Sequence, residues 1–181
     1  WVQGGSADWS AVTSDVYEGM YAAKSGSITH NQNSSIELTA EVLSGGEISF
    51  YYKVSSESGW DYLRFYIDGN EQEKWSGEDP WTQVSYSVTP GTHTFKWSYT
   101  KDGSQSNGSD CGWVDMIVFP PLRIAPEIIT TSLPDWTFGY LYSEQLEATG
   151  GTGAHTWSDK FDDLDGTGLT LSSTGLLSGL P

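Results

Sequence analysis

The residues with the most chemical potential in this chain are its carboxylates: 24 Asp and Glu stand against 8 Lys and Arg, a formal net charge of −16. Carboxylates mixed with hydroxyls and backbone carbonyls are the ligands that hard cations take. The segment Asp102-Gly103-Ser104-Gln105-Ser106-Asn107-Gly108-Ser109-Asp110 sets side-chain oxygens at relative positions 1, 3, 5 and 9. That is the spacing of a calcium loop, although the closing Glu and the glycine at position 6 are missing. Asp102 and Asp110 are therefore candidate metal ligands and calcium the candidate cofactor. A polar hairpin between two strands accounts for the same composition.

A second set of residues could bind sugar. Carbohydrate sites stack pyranose rings on aromatic planes and fix the hydroxyls with Asp, Asn, Arg and Lys. Tyr62, Arg64, Tyr66 and Asp68 alternate along one stretch, with Tyr51 and Lys53 on the strand before it. Trp60 sits in a Gly-containing turn, and Trp75 and Trp81 flank another. The competing explanation is that Tyr and Trp are good strand formers on half-buried sheet surface.

Catalysis finds little support. His30, His93 and His155 are far apart and fit no metal-ligand spacing. No Gly-x-Ser-x-Gly elbow, phosphate loop or Cys-His signal around Cys111 is present. The expectation is a non-catalytic protein; a polysaccharide lyase or hydrolase ranks last, because some cross-strand carboxylate pair arises by chance among so many acids. Nucleic acid is excluded as a partner, since phosphates are repelled by such a charge and no basic run exists. No apolar run approaches the roughly 20 residues of a membrane span, so membrane insertion is not expected. A single cysteine, Cys111, leaves no internal disulfide to form.

The elements that must position these residues are strands. Apolar and polar residues alternate with period two in Ser35 to Val42, Glu47 to Val54, Tyr62 to Asp68, Trp81 to Val88, His93 to Tyr99 and Trp113 to Phe119. Between them lie Ser44-Gly45-Gly46, Asp68-Gly69-Asn70, Ser76-Gly77-Glu78-Asp79-Pro80 and Pro90-Gly91, all turn chemistry. The pattern predicts an all-β fold, an antiparallel sandwich with one face of each strand buried. Three prolines within Phe119 to Pro126 predict a stiff linker over residues 121–126. Beyond it come four or five short strands: Glu127 to Thr131, Tyr142 to Ala148, a turn Gly150-Gly151-Thr152-Gly153, His155 to Ser158, Gly168 to Leu171 and Thr174 to Pro181. They are too few to bury both faces of a sandwich, so this part is expected to be completed beyond Pro181 or by another molecule. Trp1 in place of an initiator Met likewise suggests a piece of a longer chain.

Two family resemblances follow from the motifs. Residues 1–120 resemble the calcium-binding jelly-roll modules of bacterial secreted proteins, in the style of MAM and cleaved-adhesin domains. The carrying motifs are Ser55-Ser56-Glu57-Ser58-Gly59-Trp60-Asp61-Tyr62-Leu63, Phe65-Tyr66-Ile67-Asp68-Gly69 and Gly108-Ser109-Asp110-Cys111-Gly112-Trp113-Val114-Asp115-Met116-Ile117. Met116 stands where such modules often carry a second Asp. The resemblance implies a structural ion joining the first strand to the last, through Glu18 and Asp115. An Asp inside an apolar strand demands a partner in any case, an ion or a salt bridge. Residues 126–181 are similar to the immunoglobulin-like repeats of bacterial surface proteins, on Leu133-Pro134, Gly139-Tyr140-Leu141-Tyr142-Ser143, Ala148-Thr149-Gly150-Gly151, Thr156-Trp157-Ser158, Gly168-Leu169-Thr170-Leu171 and Ser178-Gly179-Leu180-Pro181. Together the resemblances imply an extracellular protein, secreted or on the cell surface. Its partners would be a polysaccharide or cell-surface glycan and other domains of the parent chain. A purely structural spacer is the alternative.

Overall fold

The computed structural model describes residues 1–123, 125–151 and 153–181; Ile124 of the expected linker and Thr152 of the expected glycine-rich turn lie outside them. The chain divides into two compact units, Trp1–Leu122 and Arg123–Pro181. The first holds ten strands: β1 (Val2–Gly5), β2 (Ser10–Val12), β3 (Ala22–Lys24), β4 (Asn33–Val42), β5 (Gly46–Ser55), β6 (Tyr62–Ile67), β7 (Asn70–Trp75), β8 (Glu78–Val88), β9 (Gly91–Thr100) and β10 (Cys111–Val118). They form two five-stranded sheets, β1-β4-β9-β6-β7 and β2-β3-β10-β5-β8, with antiparallel pairing throughout. Strands β3 to β10 have the order of a jelly roll, 4-9-6-7 against 3-10-5-8, and β1 and β2 extend one edge of each sheet.

The alternation read from the sequence is what builds this core. Ile48, Phe50, Val54, Leu63, Phe65, Phe95, Trp97 and Tyr99 point between the sheets and are fully buried. Phe50, Phe65 and Trp97 meet at ring-centroid distances of 4.8, 5.3 and 5.0 Å. Aromatic packing of this density compensates for the low aliphatic content, and truncating one such ring to Ala costs about 3–5 kcal/mol. The β6–β7 turn is made by Asp68 (φ 53°) and Gly69 (φ 77°), a two-residue Asp-Gly hairpin whose left-handed backbone suits these residue types.

The jelly-roll path has one consequence for the expected site. Because β5 lies in one sheet and β6 in the other, outward residues of the two strands face opposite sides of the sandwich. The sequence placed Tyr51 and Lys53 beside Tyr62 by assuming that consecutive strands pair; here they do not.

The second unit contains β11 (Glu127–Ile128), β12 (Tyr142–Gln145), β13 (Ala148–Thr149), β14 (Leu169–Leu171) and β15 (Leu176–Gly179), as a β11-β13 pair and a three-stranded sheet β12-β15-β14. The expected strand Tyr142 to Ala148 is thus split between two sheets. His155 to Ser158 forms no ladder; Trp157 makes a backbone bond to Ser173 O at 3.1 Å. Leu177 is buried in this unit, whereas Trp136, Phe138, Tyr140, Leu141 and Phe161 are exposed.

Candidate functional site

On the outer face of the first sheet, Tyr62, Arg64 and Tyr66 project side by side from β6, half-buried, over Thr100, Ser98 and Lys96 of β9. Arg64 is fixed from both sides: Nε donates to Thr100 Oγ1 at 3.0 Å, and a terminal nitrogen donates to Glu71 Oε2 at 2.5 Å. The Tyr66 hydroxyl donates to the same Glu71 oxygen at 3.3 Å. Arg64 and Lys74 lie over the Tyr62 ring at 4.8 and 4.5 Å, so cations occupy ring surface that a sugar would need. Asp68 does not join the row. It turns back to accept from Thr94 N at 2.8 Å and to pair with His93 Nδ1 at 2.7 Å. The backbone bond, supported by His93, holds its pKa below the usual carboxylate value.

Trp60 is the ring left free. It is 61% exposed at the tip of the turn between β5 and β6. The turn is closed by Trp60 N and Asp61 N, both donating to Glu57 O, and by the Tyr62 hydroxyl, which donates to Gly59 O at 2.6 Å. That last bond ties the turn to the β6 row.

The same turn supplies two members of an acidic cluster. Glu57, Asp61 and Asp102 bring one carboxylate oxygen each within 4.8 Å of one another. Asp61 is fully buried. Its Oδ1 accepts from Asp102 N at 2.9 Å and its Oδ2 from Lys101 Nζ at 3.0 Å. Glu57 Oε2 is buried and has no hydrogen-bond partner. Desolvation raises the Glu57 pKa, and the Asp102 and Asp61 charges raise it further. A cluster of hard oxygen donors with one buried oxygen unpaired has the chemistry of a cation site.

Asp110 is elsewhere. The expected calcium loop does fold around a cation, but that cation is the Lys101 ammonium, one residue before the loop begins. Nζ donates to Gln105 O and Ser106 Oγ, each at 3.2 Å, and pairs with both Asp110 and Asp61. Tyr99 completes the coordination of Asp110 from below, its hydroxyl donating to Oδ1 at 2.9 Å. Burial alone would lower the Lys101 pKa; the Asp110 and Asp61 carboxylates outweigh it and raise the value. Positions 5 and 9 of the expected loop, Ser106 and Asp110, thus converge on the Lys101 ammonium, whereas Asp102 stands with Glu57 and Asp61. Lys101 carried no sequence signal beyond being a lone cation beside an acidic loop.

Asp115 is buried on β10, as its apolar neighbours required, and its carboxylate is met by backbone amides. Oδ2 accepts from Tyr17 N at 2.9 Å and Glu18 N at 3.2 Å, and Oδ1 accepts from Met116 N at 2.7 Å. Three amides meet the carboxylate's demand. A β-bulge with Met116 at φ 48° turns its own N–H toward Asp115. Glu18 does come next to Asp115, through its backbone, while the Glu57 cluster forms without either residue. Tyr51, on the outer face of the second sheet, stacks on Tyr17 with centroids 3.7 Å apart, and Trp81 meets the edge of Tyr17 at 6.2 Å.

No family model matches this sequence, and no curated protein does. Among solved structures the chain is similar to the secreted serine protease VesC from Vibrio cholerae, with a TM-score of 0.53 and 16% identity over 64% of this chain and 23% of that one. It also matches the CBM22-1 xylan-binding domain of Paenibacillus barcinonensis Xyn10C, at a TM-score of 0.40 and 18% identity over 63% and 83% of the two chains. A family 35 carbohydrate binding module from Clostridium thermocellum follows at 0.37 and 14%, over 62% and 90%. The aligned part spans less than a quarter of VesC. At 16% identity the likeness to VesC bears on the fold alone: this is an all-β chain built on an antiparallel β-sandwich.

Proposed function

We propose that the first unit is a non-catalytic carbohydrate-binding or adhesive module of a larger extracellular protein, with the second unit an immunoglobulin-like spacer. The observation that carries this reading is Trp60. A 61% exposed indole stands at the head of a row whose polar groups, Arg64, Tyr66 and Glu71, are already held in place by mutual hydrogen bonds. An aromatic plane beside pre-ordered donors and acceptors matches the amphipathic faces of a sugar ring. Calcium belongs in this reading at Glu57, Asp61 and Asp102, where it would neutralise the cluster and stiffen the turn that presents Trp60. The second aromatic surface, Tyr17, Tyr51 and Trp81, is the competing sugar platform, favoured by its stacked pair. Affinity electrophoresis through gels of soluble polysaccharides, with calcium and with chelator, tests both. Retardation that chelator weakens supports the proposal. Unretarded migration across plant, algal and bacterial glycans, with chelator lowering only the melting temperature, leaves the structural-spacer alternative.

A further inference from the structure

Positive charge is scarce in this chain, with 24 carboxylates against 8 Lys and Arg, yet three of the eight gather on the face headed by Trp60. Arg64 on β6 and Lys74 on β7 are direct register partners, and both lie over the Tyr62 ring, at 4.8 and 4.5 Å. Lys96 of β9 stands opposite Tyr66 on the other flank of β6. Like charges directly opposite on paired strands weaken the pairing, so the Arg64–Lys74 step carries a cost. The nearby acids do not relieve it. Glu71 is already engaged by Arg64 and the Tyr66 hydroxyl, and Glu73 accepts from Tyr86 of the other sheet at 2.7 Å. Glu37 is the register partner of Lys96 on β4. Among the described residues, however, neither Lys74 nor Lys96 forms an ion pair with any carboxylate. The face therefore keeps two uncommitted ammonium groups beside a guanidinium whose direction Thr100 and Glu71 fix.

We infer that this face selects sugars carrying an anionic substituent, a carboxylate or a sulfate ester, held by Arg64 and Lys74 with Lys96 on the far flank; the inference rests on the sugar-binding reading above and specifies its substrate class. The covered Tyr62 ring fits this choice. A neutral sugar loses that ring to the two cations as a stacking surface, whereas an anionic sugar uses the cations themselves and stacks on Trp60. Carboxylate and sulfate oxygens accept charge-assisted hydrogen bonds, which are stronger than those to sugar hydroxyls. The net charge of −16 adds a second level of choice. It repels a dense polyanion at long range, so a glycan with sparse anionic substituents is favoured over one charged at every residue.

The test measures binding of the 181-residue chain to three matched pairs by biolayer interferometry. Glucuronoxylan and polygalacturonate are each set beside the form whose uronic acids have been reduced to hexoses, and ι-carrageenan beside its desulfated form. Within at least one pair the charged form binds about five- to tenfold more tightly, the worth of a charge-assisted hydrogen bond at a half-exposed face. The pair that responds tells carboxylate from sulfate, and the preference shrinks as salt rises. Lys74→Gln, at an exposed position, lowers the ratio toward one, and adding Lys96→Gln lowers it further. Lys24→Gln, on the other sheet over Trp113, leaves it unchanged. Equal affinity within every pair, or binding of neutral glycans alone, would overturn the inference and leave the sugar-binding reading standing. A preference undiminished in the double variant, or removed by Lys24→Gln, overturns it as well. No binding to any glycan, charged or neutral, removes both the reading and the inference.

Discussion

Replacing Lys101 by Met should be among the most damaging single changes available outside the aromatic core. The ammonium is completely buried, as is the Asp61 carboxylate that it meets at 3.0 Å, while Asp110 is mostly buried. Four acceptor atoms share its three protons: Asp61 Oδ2, Asp110 Oδ1, Gln105 O and Ser106 Oγ. Met fills much of the same volume but leaves two carboxylates without their counter-charge and the 102–110 loop without its anchor. Removing one partner of a buried pair costs about 3–5 kcal/mol. For a unit of this size that is a fall in Tm of roughly 10–20 °C. The assay is thermal unfolding followed by near-ultraviolet circular dichroism, which reports the tryptophan-rich core. Lys160→Met, at an exposed lysine of the second unit, provides the control and should lie within about 0.5 kcal/mol of the parent. Combining K101M with Asp61→Asn removes the more deeply buried of the two uncompensated charges, so the pair should cost at least about 1 kcal/mol less than the sum of the singles. A K101M loss below about 1 kcal/mol would refute the reasoning, because the ammonium would then have to be solvated rather than the centre of the loop.

Glu57→Gln should raise Tm in chelator, since it removes a charge that burial and its acidic neighbours disfavour, and should abolish any calcium-induced rise; differential scanning calorimetry with calcium and with chelator reads both effects. Asp115→Asn turns an NH₂ group toward amides that need an acceptor, and should cost about 1–3 kcal/mol, with faster hydrogen exchange at Tyr17 and Glu18. The depressed pKa of Asp68 makes its contribution present above the ordinary Asp value of about 3.9 and lost as pH falls through the folded value. Asp68→Asn should therefore flatten the acid limb of the stability–pH curve, measured by urea unfolding between about pH 2 and 5, and an unchanged limb would remove Asp68 from the account.

Strands that alternate cleanly were legible in the sequence, because burial of one face imposes the period. Ser35 to Val42 is the heart of β4, and His93 to Tyr99 the heart of β9. The strand β7, Asn-Glu-Gln-Glu-Lys-Trp, escaped notice because it is an edge strand exposed along all but its last residue, so polarity hides it. Which strands pair was not legible, as Tyr51 demonstrates, because alternation reports the buried face and not the neighbour. The demand of Asp115 for a partner could be read; that backbone amides would meet it could not, since amides leave no trace in residue types. Glu57 went unnoticed as a ligand because its partners Asp61 and Asp102 meet it only through the crossing of β5–β6 and β9–β10 connections.

The central claim, that the first unit holds sugar on the face headed by Trp60, is tested most directly by polysaccharide affinity of the parent chain beside Trp60→Ala and Tyr51→Ala. Both residues lie outside the packed core, Trp60 at the tip of a turn and Tyr51 on the outer face of the second sheet, so neither change should disturb folding. The account expects W60A to weaken binding about tenfold or more, equivalent to about 1.4 kcal/mol, and Y51A to bind as the parent does. Loss of binding in Y51A with W60A unaffected would move the site to the opposite sheet, and a parent chain that binds no glycan would contradict the claim outright.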